Sequence, residues 1–150
     1  MTEEITNVSI RVLMVEDNPV DVDLLSMVFE ETKWPVESTV VDDGEKAIDL
    51  LKSLAANGHP GPDLVILDLN LPRRDGTEVL QAIRSTKGLT DTTVAIFSSS
   101  PQDVIQSKLT AAGVTANGHF TKPHSYDGFL QLAHNLRSWF EGQKMVGQAV

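Results

Sequence analysis

The chain has 150 residues, no cysteine, and 12 basic against 21 acidic side chains, for a formal net charge of −9. That length suits one domain able to bury roughly 70% of its unfolded surface. Without cysteine there are no disulfides or thiolate metal sites, and an acidic surface repels a phosphate backbone, which argues against nucleic-acid binding.

No apolar run reaches the ~20 residues of a membrane span. The opening MTEEITNVS lacks the basic and apolar regions of a secretory signal. The expectation is therefore a cytoplasmic protein with no membrane association. Ile10–Val15 (IRVLMV) reads as a first strand. Asn18-Pro19 then supplies a helix cap and a first-turn proline, followed by Val20, Leu24 and Val28 at fourfold spacing. Trp34-Pro35 closes that helix, and Val36–Val41 is a second strand.

Asp42 with Glu45 resembles a capping box, ahead of a helical face of Ala47, Leu50, Leu51 and Leu54. The run NGHPGP is turn signal before a third strand, Leu64–Leu67, and Val79, Leu80 and Ile83 mark the helix after it. Residues 93–97 (TVAIF) form a fourth strand, and Ser100-Pro101 opens a helix bearing Ile105, Leu109 and Ala112. A short fifth strand, 119–121, precedes Lys122-Pro123, and Phe129, Ala133, Leu136 and Phe140 trace the last helix.

Five β–α units with continuously apolar strands predict an α/β fold. Its parallel sheet should be buried on both faces, with helices on each side. With no internal repeat and no linker, residues 10–140 read as one domain, 1–9 as an N-terminal tail and 141–150 as a tail or a helix extension.

In such a sheet, ligands bind beyond the carboxyl ends of the strands. The residues there are Glu16-Asp17 after the first strand, Asp68 after the third, Ser98-Ser99 after the fourth and Lys122 after the fifth. Taken singly, each has a simpler account: an aspartate caps the next helix, a serine forms a turn, a lysine sits in solvent. Taken together those accounts fail, because clustered carboxylates repel one another unless a cation lies among them. A hard divalent ion, Mg²⁺ first among them, suits three oxygen donors. Asp68 at the end of a rigid strand can then accept a phosphoryl group as an acyl phosphate, with Lys122 and Ser98 serving its oxygens.

The acidic pair Glu16-Asp17, the LDLNLPxxDG block around Asp68, Ser98 and the Lys122-Pro123 dipeptide resemble the receiver domains of two-component signalling over residues 10–140. The resemblance implies a doubly wound, flavodoxin-like sheet of strand order 2-1-3-4-5. It also implies Asp68 as phosphoacceptor, fed from a phosphohistidine on a sensor histidine kinase. Asp17, Asp68 and the Asn70 backbone carbonyl would ligate Mg²⁺, and Glu16 would act directly or through water. Ser98 would be the switch hydroxyl, Lys122 would bind a phosphoryl oxygen, and Asn70 and Ser99 would flank the attacking water. The Lys122–Pro123 peptide would be cis, and Gly76 would permit a tight turn.

VEDNPVDVDLL and LDLNLPRRDG further resemble single-domain regulators of phytochrome-type histidine kinases, which signal through protein contacts alone. Such relatives can form homodimers through the C-terminal helices, for which Trp139 and Phe140, with Met145 and Val146, are candidates. Trp139 and Phe140 could equally complete the core-facing stripe.

One departure from the family stands out. The aromatic switch position three residues before the lysine holds His119, with Phe120 beside it, after a lengthened loop; the role falls to His119 or Phe120.

Two other readings remain on the sequence: a receiver-like scaffold that is never phosphorylated, and a haloacid-dehalogenase-type phosphohydrolase. The second requires a general-acid aspartate two residues after the nucleophile, where this chain has Asn70, and a cap domain for which there is no room. Under the leading reading the protein is no enzyme beyond incidental self-phosphorylation and self-dephosphorylation.

Overall fold

Strands of unbroken apolar character need cover on both sides, and the computed structural model, which describes residues 9–149 and side chains as far as Met145, provides it. Most of the expected N-terminal tail and the Val146 side chain fall outside the described residues. Strands β1 (Ile10–Val15), β2 (Val36–Val41), β3 (Leu64–Leu67), β4 (Thr93–Ser98) and β5 (Gly118–Thr121) form one parallel sheet in the order β2-β1-β3-β4-β5. The helices are α1 (Pro19–Glu31), α2 (Gly44–Ala56), α3 (Gly76–Ser85), α4 (Gln102–Ala112) and α5 (Tyr126–Ala149). None of them is long and apolar enough to cross a membrane among the described residues.

Side chains alternate across the sheet, so each strand feeds two cores. Val12, Met14, Leu64, Ile66 and Phe97 meet Leu25, Val28 and Phe29 of α1 and Phe129, Leu136 and Phe140 of α5. Leu13, Val15, Val65, Leu67 and Ile96 meet α2, α3 and α4 on the opposite face. The two edge strands are the exceptions: the middle residues of β2 are exposed and β5 has no fully buried residue, so neither is covered on both faces.

Local details differ from the sequence reading for identifiable reasons. The stripe of α1 is Leu25, Val28 and Phe29, whereas Val20 is 61% exposed; a strict fourfold spacing drifts around a helix of 3.6 residues per turn. Asp43 caps α2, accepting from the Lys46 amide at 2.7 Å, and Asp42 instead pairs with the Lys46 ammonium in solvent. Pro101 occupies the cap position of α4 and makes no side-chain bond, so Ser100 does not cap that helix. Residues beyond 140 continue α5 as a helix extension. No described peptide bond is cis, so Lys122–Pro123 is trans, the form that X–Pro bonds prefer by about 0.5–1 kcal/mol.

The turn after β3 also works differently from expectation. The left-handed residue is Arg73, at φ 69°, and Asp75 caps α3 through the Thr77 and Glu78 amides. Gly76 is required by close approach: a Cβ there would stand 2.4 Å from the Asp68 carbonyl oxygen and 2.5 Å from the Leu69 Cα. Its bareness lets α3 start directly against the strand end that carries Asp68. Gly76→Ala is expected to lower stability by about 2–3 kcal/mol, since overpacking against backbone cannot relax cheaply. Urea unfolding checks this as a lower midpoint at unchanged slope.

Candidate functional site

The backbone ladder runs one residue past the strands. The Glu16 amide donates to the Val41 carbonyl at 3.0 Å, the Asp68 amide to Val15 at 3.0 Å, and the Lys122 amide to Ser98 at 2.9 Å. Glu16, Asp68 and Lys122 are thereby held in sheet register, although they come from distant parts of the chain. Lys122 Nζ lies 3.0 Å from Glu16 Oε1, 3.2 Å from Asp68 Oδ2 and 2.8 Å from Asp21 Oδ2. The same ammonium stands 5.4 Å from the centroid of the Phe97 ring, a buried apolar floor.

Both carboxylates of the sheet are anchored on the side away from the lysine. The Asn18 amide donates to Glu16 Oε2 at 3.1 Å and the Asn70 amide to Asp68 Oδ1 at 3.0 Å. Exposed Asp17 completes the set: Glu16, Asp17 and Asp68 each bring a carboxylate oxygen within 4.8 Å of the others.

Burial of Glu16, 2% exposed, pushes its carboxyl up to about 7; contact with Lys122 opposes this and the nearby Asp68 charge adds to it. For Lys122 burial works against the ammonium, but the Asp21, Glu16 and Asp68 carboxylates outweigh it and hold the group above its ordinary value. Three converging oxygen donors, one of them reluctant to ionise, fit a hard divalent cation such as Mg²⁺, which would favour the ionised form of all three.

The remaining sequence candidates divide. Ser98 is fully buried at the end of β4, but its hydroxyl accepts from the Ser100 amide at 3.0 Å and makes no hydrogen bond to Asp68. Ser99 is exposed beside it. The Asn70 side chain reaches Lys108 of α4 at 3.4 Å. His119 faces the α4 side, bordering a cavity of about 180 Å³ with Ile105, Leu109 and Gln106. Its Nε2 is buried without a hydrogen-bond partner, and burial lowers its pKa. Phe120 points to the other face and packs edge-on against Trp139 at 5.2 Å. Strand alternation thus places His119, and not Phe120, against the α4 face.

Phe140 is 3% exposed and packed against Trp34, so it belongs to the core and is withdrawn as an interface residue. Trp139 is half-buried, closing over Gly118, and Met145 is exposed.

Asp21 was missed. It sits in the first turn of α1, whereas Asp17 lies before the Asn18 cap and outside the helix, so no helical spacing marked Asp21 in the sequence.

A model of the response regulator receiver domain matches residues 12–134. The response regulator Rcp1 of Synechocystis sp. is 30% identical over 134 residues, covering 87% of this chain and 88% of its own length. The transcriptional regulatory protein TrcR of Mycobacterium tuberculosis is 33% identical over 127 residues, or 85% of this chain, which spans only 45% of that relative. A crystal structure of the phosphorylated cyanobacterial phytochrome response regulator RcpA, 27% identical, aligns with a TM-score of 0.77 over 91% of this chain and 96% of its own.

The Glu16 shift, from 4.5 to about 7, carries a pH signature. Between those values the folded protein keeps a proton that the unfolded chain has lost. Without divalent ions this contribution to stability is full below pH 4.5 and is lost as pH rises to 7. The difference in unfolding free energy between wild type and Glu16→Gln, measured in urea with a chelator present, should therefore fall across that window. A flat difference would mean that Glu16 ionises freely.

Proposed function

The chain belongs to the response regulator receiver family, and from that premise we propose that it is a phosphorylation-operated binding module of the single-domain type. It takes its phosphoryl group on Asp68 from a sensor histidine kinase. The observation that carries the reading is the Asp68 carboxylate, fixed on one oxygen by the Asn70 amide and paired on the other with Lys122, beside converging Glu16 and Asp17. Phosphoryl transfer asks mainly for such positioning and charge neutralisation.

An Asp68 oxygen bonds to phosphorus while the phosphorus–nitrogen bond of the donor phosphohistidine breaks and its electron pair stays on the imidazole. Lys122 neutralises a phosphoryl oxygen, and the Ser98 hydroxyl leaves the Ser100 amide to meet another. Glu16, Asp17, Asp68 and the Asn70 carbonyl would hold Mg²⁺, which would supply charge neutralisation at the phosphoryl oxygens. In hydrolysis, water attacks phosphorus past Asn70 and Ser99, the bond to Asp68 breaks, and inorganic phosphate leaves. This turnover is incidental to signalling.

Movement of Ser98 loosens the end of β4, and His119, with a cavity beside it, answers in place of an aromatic ring. The readout is then the face formed by α4, β5 and α5. A phytochrome-type kinase is the favoured donor, on the strength of the VEDNPVDVDLL and LDLNLPRRDG motifs and the likeness to RcpA. The extension of α5, with Met145 exposed and Trp139 half-buried, is the favoured surface for a homodimer.

Incubation with Mg²⁺ and acetyl phosphate should add one phosphoryl group to the wild type and none to Asp68→Asn, as read by intact mass under mild conditions. Equal uptake by both proteins would remove Asp68 from the reaction. Sedimentation velocity with beryllofluoride, which stands in for the phosphoryl group, should show a shift from monomer to dimer. A mass identical with and without it would sink phosphorylation-driven dimerisation.

A further inference from the structure

Asp21 is the nearest carboxylate to the Lys122 ammonium, yet nothing above gives it a task. Its Oδ2 stands 2.8 Å from Nζ, against 3.0 Å for Glu16 and 3.2 Å for Asp68. Neither partner is free in solvent: the Lys122 side chain is 13% exposed and that of Asp21 15%. The helix start explains why the contact forms. Asn18 caps α1 by accepting from the Val20 and Asp21 amides and Pro19 sets the first turn, so Asp21 enters the helix with its side chain at the strand ends.

Asp21 is also set apart from the other acids. The oxygens that converge closely enough for one cation belong to Glu16, Asp17 and Asp68. Three acids therefore converge on a candidate cation site, two of them also touching Lys122, and the fourth, outside that site, makes the shortest contact with the lysine.

That arrangement has a consequence once Asp68 carries a phosphoryl group. Acyl-phosphate formation removes the Asp68 charge but adds about 1.5 to 2 negative charges on the phosphoryl oxygens. Those oxygens need the Lys122 ammonium, which Asp21 already holds at its shortest contact. A carboxylate beside them also repels the incoming anion, and both effects act in the same direction. Building on the reading of Asp68 as phosphoacceptor, we propose that Asp21 is a positioning residue that competes with the phosphoryl group for Lys122. It thereby weights the domain toward its unphosphorylated state.

The test is calorimetric titration of beryllofluoride into protein saturated with Mg²⁺, for wild type, Asp21→Asn, Asp21→Glu and Asp68→Asn. Wild type should bind and Asp68→Asn should not. Asp21→Asn should bind roughly three- to tenfold more tightly, a tenfold change being about 1.4 kcal/mol. Asp21→Glu, which keeps the charge, should stay near wild type. Affinity for Mg²⁺ alone should be unchanged or weaker in Asp21→Asn, so that tighter anion binding cannot be traced to a better-held cation. Should Asp21→Asn not fold, Asp21→Ala carries the same expectation.

Beryllofluoride affinity equal to or below wild type in the neutral variants would overturn the competition while leaving Asp68 as the acceptor. No binding by wild type would overturn the phosphoacceptor reading, and this inference with it.

Discussion

One ammonium group, Nζ of Lys122, stands among carboxylates carried by the end of β1, the first turn of α1 and the end of β3. Glu16 and Asp68 are almost wholly buried, and a buried carboxylate without a counter-charge costs several kcal/mol. The lysine offsets that cost. It can do so because β5 lies next to β4 at the sheet edge, and because the Lys122 amide is bonded to the Ser98 carbonyl. The ammonium itself stands 5.4 Å from the centroid of the buried Phe97 ring, which forms an apolar floor beneath the charge. Remove the parallel alignment of β1, β3 and β5 and the charges no longer meet.

Balance among these groups is incomplete, since burial opposes ionisation of Glu16 despite its contact with Lys122. Glu16 is pushed up to about 7, chiefly by burial and further by the nearby Asp68 charge, even with Lys122 in contact. A divalent cation would favour the ionised carboxylates, whereas a phosphoryl group on Asp68 would add negative charge beside them. Nζ touches Asp68 and Asp21 of α1 at once, so a displacement of the ammonium would alter both contacts. Ser98 is committed to the Ser100 amide and can change partners without unfolding anything. His119 sits on the α4 side of β5 with a buried nitrogen that has no hydrogen-bond partner.

Much of this was legible in the order of residues. Continuous apolar runs located the strands, because a strand buried on both faces has no room for polar alternation. Apart from β4 and β5, each extended by one residue, the strand limits agree. The acids, the serine and the lysine fell immediately after those runs, and the topology of a doubly wound sheet was enough to gather them. Less was legible where a choice turned on one residue of phase. Asp42 and Asp43 are equally good caps on paper, and only the start of α2 at Gly44 selects Asp43. Phe120 and His119 are one residue apart, and strand alternation sends one to Trp139 and the other to the α4 face.

The sequence by itself determined the class of fold, the positions of the strands and the identity of the groups at their ends, because periodicity and the residue after each strand are local properties of the chain. Tertiary structure alone decided who touches whom. It set Asp21 rather than Asp68 nearest to Lys122, buried Phe140, and assigned Gly76 to close approach, with Arg73 taking the left-handed turn. Those outcomes depend on distances of a few tenths of an ångström between segments far apart in the chain. No local pattern encodes such distances, since they follow from how helices and strands pack.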